Sequence, residues 1–456
     1  MANESALFED DFPLDLEDDT GAQGASEDTD QAAIDPDLDV SGNADEMASA
    51  HDVDLPDPDG GERPIPAISM RVFYEVDNTA NLIETIALDR RMRSVDVEAI
   101  QGGLSAAIEY LQENVTPNLL VLESHLPAAQ MIEQIDALAE HCDPGVQVMV
   151  IGATNDIALY RQLVSRGVSE YLVPPVKPLQ VIRAIGTLFA DPETPFLGKS
   201  ISVVGAKGGV GASTIAHNLA WSIAENARLN TTLIDLDISF GTTALDFNQE
   251  GTQSVVDALL APERTDEAVI SRLLTKATDR LSLFTAPATI NDELDISQDA
   301  YDVVIQAVRR TVPYVVMDLP HIWSTWLSTT LVASDEVMLV CQPDLASLRN
   351  GKNIIDRLKA ERPNDNPPRL ILNMAGVPKR PEIPVKDFAQ AIGVEPEVVL
   401  PFDPQLFGTA ANNGQMISET EPDAKSTMAI NHLATLITGQ AVNVPKKSFV
   451  QKFLGK

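Results

Sequence analysis

Long apolar runs are missing from this 456-residue chain, and so is positive charge. No stretch approaches the ~20 apolar residues that span a bilayer. The opening Met1-Ala-Asn-Glu-Ser-Ala-Leu-Phe-Glu-Asp10 has neither the positive flank nor the apolar centre of an export signal, so the expectation is a cytoplasmic protein. There are only two cysteines, Cys142 and Cys341, and neither stands in a metal-ligand spacing, which leaves reduced, buried thiols as the reading. Lysine and arginine total 32 against 68 acids, a net charge of −36. Nucleic-acid binding through bulk charge is therefore not expected, because neutralising phosphates takes clustered cations. At ~100–200 residues per domain, the length predicts two to four domains.

The charge deficit is uneven. Residues 1–64 hold 21 acids and one base, Arg63, among small residues and proline with little apolar pattern. Such a segment cannot bury enough apolar surface to offset its ordering entropy and is predicted to be a disordered acidic tail. Within it, Leu7-Phe-Glu-Asp-Asp-Phe-Pro-Leu-Asp-Leu16 alternates apolar and acidic residues, the composition of a short docking segment or of a merely solubilising one. The opposite end differs: Lys446-Lys-Ser-Phe-Val-Gln-Lys-Phe-Leu-Gly-Lys456 carries four lysines and no acid. On a helix, Phe449, Val450, Phe453 and Leu454 share one face, a pattern suited to anionic lipid.

From Ile68 onward, apolar runs alternate with helical patterns. Met70–Tyr74, Leu119–Leu122, Val146–Ile151 and Glu170–Val173 predict strands, and residues 78–90, 103–113, 127–141, 155–166 and 178–190 predict helices. This alternation implies a parallel sheet covered on both faces over residues 67–190. The order of cues resembles a response-regulator receiver domain. Leu119-Leu-Val-Leu-Glu-Ser-His-Leu-Pro127 sits at that family's phosphoacceptor strand, and Arg166-Gly-Val-Ser-Glu-Tyr-Leu-Val-Pro-Pro175 at its fifth strand. Against that pattern Glu123 stands for the phosphoacceptor Asp, Pro174 for the phosphoryl-binding Lys and Gly152 for the switch Ser or Thr. Phosphotransfer needs carboxylate, cation and metal together, so the expectation is a degenerate receiver serving as an interaction or dimerisation module. Residues 191–199, with two prolines and a glycine, read as a linker.

The next stretch carries the most chemistry. Ile201-Ser-Val-Val-Gly-Ala-Lys-Gly-Gly-Val-Gly-Ala-Ser-Thr214 is an apolar strand running into a loop with four glycines, followed by a helix predicted to open near Ser213. Glycines let successive backbone N–H groups turn inward around phosphate oxygens, and a helix N-terminus adds partial positive charge. Ala206 and Ala212 depart from an ordinary Walker A motif at its first Gly and its Lys. Further on, Thr232-Leu-Ile-Asp-Leu-Asp237 places Asp235 and Asp237 on one face of a strand end, where open α/β sheets bind ligands. Tyr314-Val-Val-Met-Asp-Leu319 is another buried strand, this one carrying Asp318 near its end.

The pattern Lys207-Gly208-Gly209-Val210-Gly211-Ala212-Ser213-Thr214 resembles the deviant Walker A loop of the ParA/MinD ATPases. The resemblance covers residues 200–440 and implies ATP and Mg²⁺ as ligands. Lys207 is then the lysine that reaches a partner's phosphates across a nucleotide-sandwiched homodimer. Asp237 positions the attacking water, Ser213, Asp235 and Asp318 lie at the metal, and Asn373 and the loop at Pro401 lie at the base. With Ala212 in place of the second lysine, weak binding of the β- and γ-phosphates and slow turnover are expected.

The combined layout is α/β throughout, two doubly wound parallel-sheet domains after an acidic tail. It resembles the CpaE/TadZ proteins of Tad (Flp-type) pilus assembly. That implies a dimeric spatial regulator at a cell pole whose partners are the pilus secretion ATPase and membrane platform proteins. Residues 441–456 would add peripheral contact with the inner membrane. The alternatives are a division-site or partitioning ATPase, and a response-regulator-like signalling or scaffold protein without turnover. Trp323 and Trp326, three apart, suggest either a partner-facing helix face or lid packing.

Overall fold

The computed structural model describes residues 65–190, 197–249, 253–287 and 296–440. The expectations for the acidic tail, for residues 191–196 of the linker and for the basic segment from 441 onward lie outside these residues.

The first domain alternates β1 (Ile68–Tyr74), α1 (Asp77–Ala87), β2 (Val95–Gln101), α2 (Gly103–Glu113), β3 (Leu119–Ser124), α3 (Ala128–Ala139), β4 (Gln147–Gly152), α4 (Ile157–Val164), β5 (Glu170–Leu172) and α5 (Pro178–Leu188). Its sheet runs β2-β1-β3-β4-β5 with every pairing parallel. β3 is central and buried at all six positions, as a continuous apolar run in a two-sided parallel sheet must be. Apolar clusters fill both faces, one around Met70, Val121 and Ile185, the other around Phe73, Leu122 and Met131.

The second domain opens with β6 (Lys199–Gly205), α6 (Ala212–Trp221), β7 (Thr231–Asp235), α7 (Thr243–Asp246), α8 (Val255–Leu259), α9 (Glu267–Leu273), β8 (Thr275–Lys276) and β9 (Leu281–Phe284). It continues with α10 (Gln298–Arg309), β10 (Tyr314–Leu319), α11 (Thr325–Ala333), β11 (Glu336–Cys341), α12 (Leu345–Glu361), β12 (Arg369–Ala375) and α13 (Val385–Ile392). The last elements are β13 (Pro396–Pro401), α14 (Pro404–Asn413), α15 (Ile417–Thr420) and α16 (Lys425–Thr438). The eight strands are ordered β13-β12-β11-β6-β10-β7-β9-β8. Pairing is parallel except at the two-residue β8, which is antiparallel to β9. The expected parallel sheet is therefore mixed at one edge.

The two domains meet through a polar cluster. The turn after α1 carries Asp89, Arg90 and Arg91. Arg90 reaches Asp335 at 3.3 Å, Asp365 at 3.2 Å and the Ala333 carbonyl at 2.9 Å. Arg91 pairs with Asp89 and Asp365, Asn364 donates to Asp89, and Arg309 and Arg362 close the set on Asp335 and Asp365. The Asp335 side chain is only 5% exposed, yet it is held down at about 2: burial works against ionisation, but Arg309, Arg90 and two Ser200 donors outweigh it.

Candidate functional site

β6 ends at Gly205 in the middle of the sheet and hands the chain to a loop that closes at Gly211, the N-cap of α6. Gly209 and Gly211 have φ of 76° and 87°, a conformation side chains resist. A Cβ on Gly211 would lie 2.6 Å from the Asn373 amide nitrogen. The loop is held by its carbonyls. Ala206 O accepts from Asn350 at 2.9 Å, Gly209 O from Gln342 at 3.0 Å and Val210 O from Asn373 at 2.8 Å. With those carbonyls bonded to amide side chains, the N–H groups of the loop and the first turn of α6 remain as its anion-facing groups. Val210 anchors the loop in the core, while Ser213 and Thr214 occupy the opening turn of α6. Gln342 and Asn350 carry no motif of their own, and only their place after β11 and on α12 reveals the task.

Lys207 does not stand alone: its Nζ is 3.0 Å from Asp344 Oδ2. Asp344 also caps α12 through the Ser347 N–H. Partial burial disfavours its charge, but that N–H and Lys207 hold its carboxyl below the usual range. Ala212 supplies no cation at the helix start. Gly208 lies against the His321 ring, where an added Cβ would come within 3.2 Å.

The carboxylates separate by role. Asp235 and Asp318 are register partners on β7 and β10, both buried. Burial pushes the Asp235 carboxyl up to about 6, with the neighbouring Asp318 adding to the shift. Its oxygens accept from the Asp237 and Thr243 N–H groups, each at 3.2 Å. Asp318 Oδ2 is buried with no hydrogen-bond partner. A buried carboxylate beside a phosphate-type loop, with Oδ2 free of hydrogen bonds and only His217 Nε2 near it at 3.5 Å, fits the water shell of a divalent cation, as Mg²⁺ keeps several of its waters. Asp237 is half-buried in the following turn, accepts from Phe240 N, and is raised chiefly by burial.

The motif pattern missed His217. It is fully buried on α6, with Nδ1 2.8 Å from Asp246 and Nε2 3.0 Å from the Thr243 hydroxyl and 3.5 Å from Asp318. Burial opposes its charge, yet Asp246 and Asp318 raise the imidazole to about 10. A histidine one helical turn beyond Ser213 and Thr214 of the phosphate-type loop is the signal that would have found it.

Asn373, expected at the base, donates its amide to the Val210 carbonyl of the loop. Pro401 is exposed at the end of β13, register partner of Ala375. Trp323 and Trp326 do not share a helix face. Trp323 precedes α11 and is exposed, whereas Trp326 stacks on Tyr301 at 4.0 Å between centroids. In the first domain Glu123 is buried and accepts from the Glu75 and Val76 N–H groups and the Thr79 hydroxyl, at 2.6, 3.0 and 2.7 Å. A Cβ on Gly152 would collide with the Tyr171 ring, so the position left by the switch residue is filled from the fifth strand.

Residues 198–367 match the family model described as an AAA domain. The septum site-determining protein MinD of Synechocystis is 24% identical over 258 residues, 54% of this chain and 91% of that protein. Among solved structures, a ParA family ATPase from Chlorobium tepidum is 22% identical over 52% of this chain and 98% of its own, with a TM-score of 0.48. The pilus assembly protein CpaE of Caulobacter crescentus is 50% identical over 28% of this chain and 98% of its own, with a TM-score of 0.28. Sheet order and loop together define a receiver-like module followed by a ParA/MinD-like P-loop domain. At 50% identity over nearly the whole of the Caulobacter chain, the particular family is also shown. The chain belongs to the CpaE pilus-assembly family.

Proposed function

We propose that the protein is an ATP- and Mg²⁺-binding spatial regulator. As a nucleotide-sandwiched homodimer it marks a cell pole and recruits the Tad-type pilus secretion ATPase and membrane platform. The observation that carries the nucleotide reading is a glycine loop whose carbonyls are pinned by Asn350, Gln342 and Asn373, with the buried Asp318 carboxylate beside it. Those residues fit Mg²⁺ and a nucleoside triphosphate: the N–H cradle would take the phosphates, and Ser213 with Asp318 would hold the hydrated ion. When bound, the ion would neutralise charge developing on the transferring phosphate.

This chain's own residues then set the rate. Asp237, half-buried at the end of the β7 face, would orient water, and Lys207 would supply charge to the partner's phosphates. Ala212 leaves the site without a cation in cis, so turnover is slow and the protein acts as a timer or a nucleotide-held clamp. The receiver-like domain, without phosphotransfer chemistry, would serve as the recruiting surface, and residues 446–456 would contact anionic lipid. Among the described residues no helix is long and apolar enough to cross a membrane. ATP affinity and hydrolysis measured with Mg²⁺ test the proposal: saturable, Mg²⁺-enhanced binding is expected, and its absence would reduce the domain to a scaffold. Vesicle binding that survives deletion of 446–456 would remove the lipid contact.

A further inference from the structure

His217 lies in the second turn of α6, where three segments around the phosphate loop converge. Of its neighbours on the helix, Ile215, Ala216, Leu219 and Ala220 are aliphatic and buried, Asn218 is buried and polar, and Ser213 and Thr214 precede it by four and three residues. Burying an imidazole costs free energy unless both nitrogens are used, and here both are. Nδ1 bonds to Asp246, which is itself held by the Thr242 hydroxyl at 3.1 Å. That bond sets the rotation of the ring and turns Nε2 toward Thr243 and Asp318. Nε2 stands 3.5 Å from Asp318 Oδ2, an ion-pair distance that orients this oxygen without making a hydrogen bond to it.

We propose that His217 is the positioning residue of the divalent-cation site, orienting the Asp318 carboxylate through Oδ2, which lies 3.5 Å from its Nε2. Through Thr243 and Asp246 it ties that carboxylate to α7, the segment that follows Asp237. The inference rests on the Mg²⁺-nucleotide reading of the loop. Groups that orient a metal-facing residue typically contribute 10–100-fold to metal affinity. His217 would act on the ion and leave the binding of nucleotide without metal unaffected.

The test uses the full chain and a fluorescent ATP analogue, titrated with Mg²⁺ and separately in EDTA. His217→Asn can reach Asp246 but not Asp318, whereas His217→Gln extends toward the Nε2 position. For the Asn variant the Mg²⁺ half-saturation should rise about 10–100-fold with EDTA affinity unchanged, and the Gln variant should recover part of the loss. A wild-type Mg²⁺ curve in the Asn variant overturns the inference. If that variant shows no cooperative melting, Asp246→Asn, at a more exposed site, releases the ring instead. A raised half-saturation there supports the inference, and an unchanged one overturns it. Wild-type protein that binds nucleotide with no gain from Mg²⁺ would overturn the metal reading itself, and this inference with it.

Discussion

Lys207 stands near the start of the glycine loop and Ala212 at its helix end, and the structure pairs the lysine with Asp344. The pair with Asp344 holds Lys207 inside its own chain, so reaching a partner's phosphate requires giving up a 3.0 Å contact with a carboxylate about a quarter exposed. Exposed and half-exposed ion pairs contribute only ~0–1 kcal/mol, a barrier that phosphate can outbid. Asp344→Asn, which removes the charge but keeps a cap acceptor for α12, should therefore promote ATP-dependent self-association several-fold, read as a lower midpoint concentration, with only a small change in melting temperature. Ala212→Lys should raise turnover by restoring charge beside the β- and γ-phosphates, and an unchanged hydrolysis rate would count against the empty cation position as the cause of slowness. At this scale the glycine loop and Asp318 were legible because backbone geometry and strand ends leave a spacing. His217, Gln342 and Asn350 were not, because they act from separate elements that only the fold brings together.

Elements were legible where burial is two-sided. β3 and β10 open on apolar runs and are buried at every position, and β6 is buried at all but Lys199. β2 escaped because it is an edge strand, Val95-Asp-Val-Glu-Ala-Ile-Gln101, exposed or half-exposed along its length, with acids that carry no core pattern. The tryptophans misled for a related reason. Spacing of three implies a shared face only inside a helix, and α11 begins after Trp323, at Thr325. Glu123 illustrates how an element can inherit a site and change its use. At the end of β3 it receives two N–H groups from the start of α1 and the Thr79 hydroxyl, and so fastens helix to sheet. Glu123→Asp restores the receiver family's acceptor but shortens its reach, and should destabilise the domain by about 1–3 kcal/mol through donors left unpaired. Incubation with a small phosphoryl donor should leave the variant unlabelled, since Pro174 stands where the cation is needed. Labelling at residue 123 would contradict the degenerate-receiver reading.

For the whole molecule, net charge was a misleading average. An acidic chain of −36 joins its two domains through arginines: Arg90 and Arg91 on one side, Arg309 and Arg362 on the other, with Asp335 and Asp365 between. No motif announces this cluster, whose members lie far apart in sequence. Removing one member of a buried set leaves charges uncompensated, so Arg90→Ala should cost about 3 kcal/mol and separate the melting of the domains, visible by calorimetry. The Asp335 carboxyl at about 2 lies below its ordinary 3.8, so on acidification the unfolded chain takes up its proton first. Its contribution is complete above the ordinary value and is lost as pH falls through the folded one. Arg90→Ala should therefore flatten the acid limb of the stability curve, and a limb of wild-type steepness would show that Arg309 and Ser200 hold the carboxyl down without Arg90. The central claim is that nucleotide controls assembly through Lys207, and molar mass by light scattering tests it most directly. Wild-type protein should be monomeric with ADP and dimeric with Mg²⁺-ATP, while Lys207→Ala binds nucleotide and stays monomeric. A mass independent of nucleotide, or a Lys207→Ala chain that dimerises as the wild type does, would contradict the account.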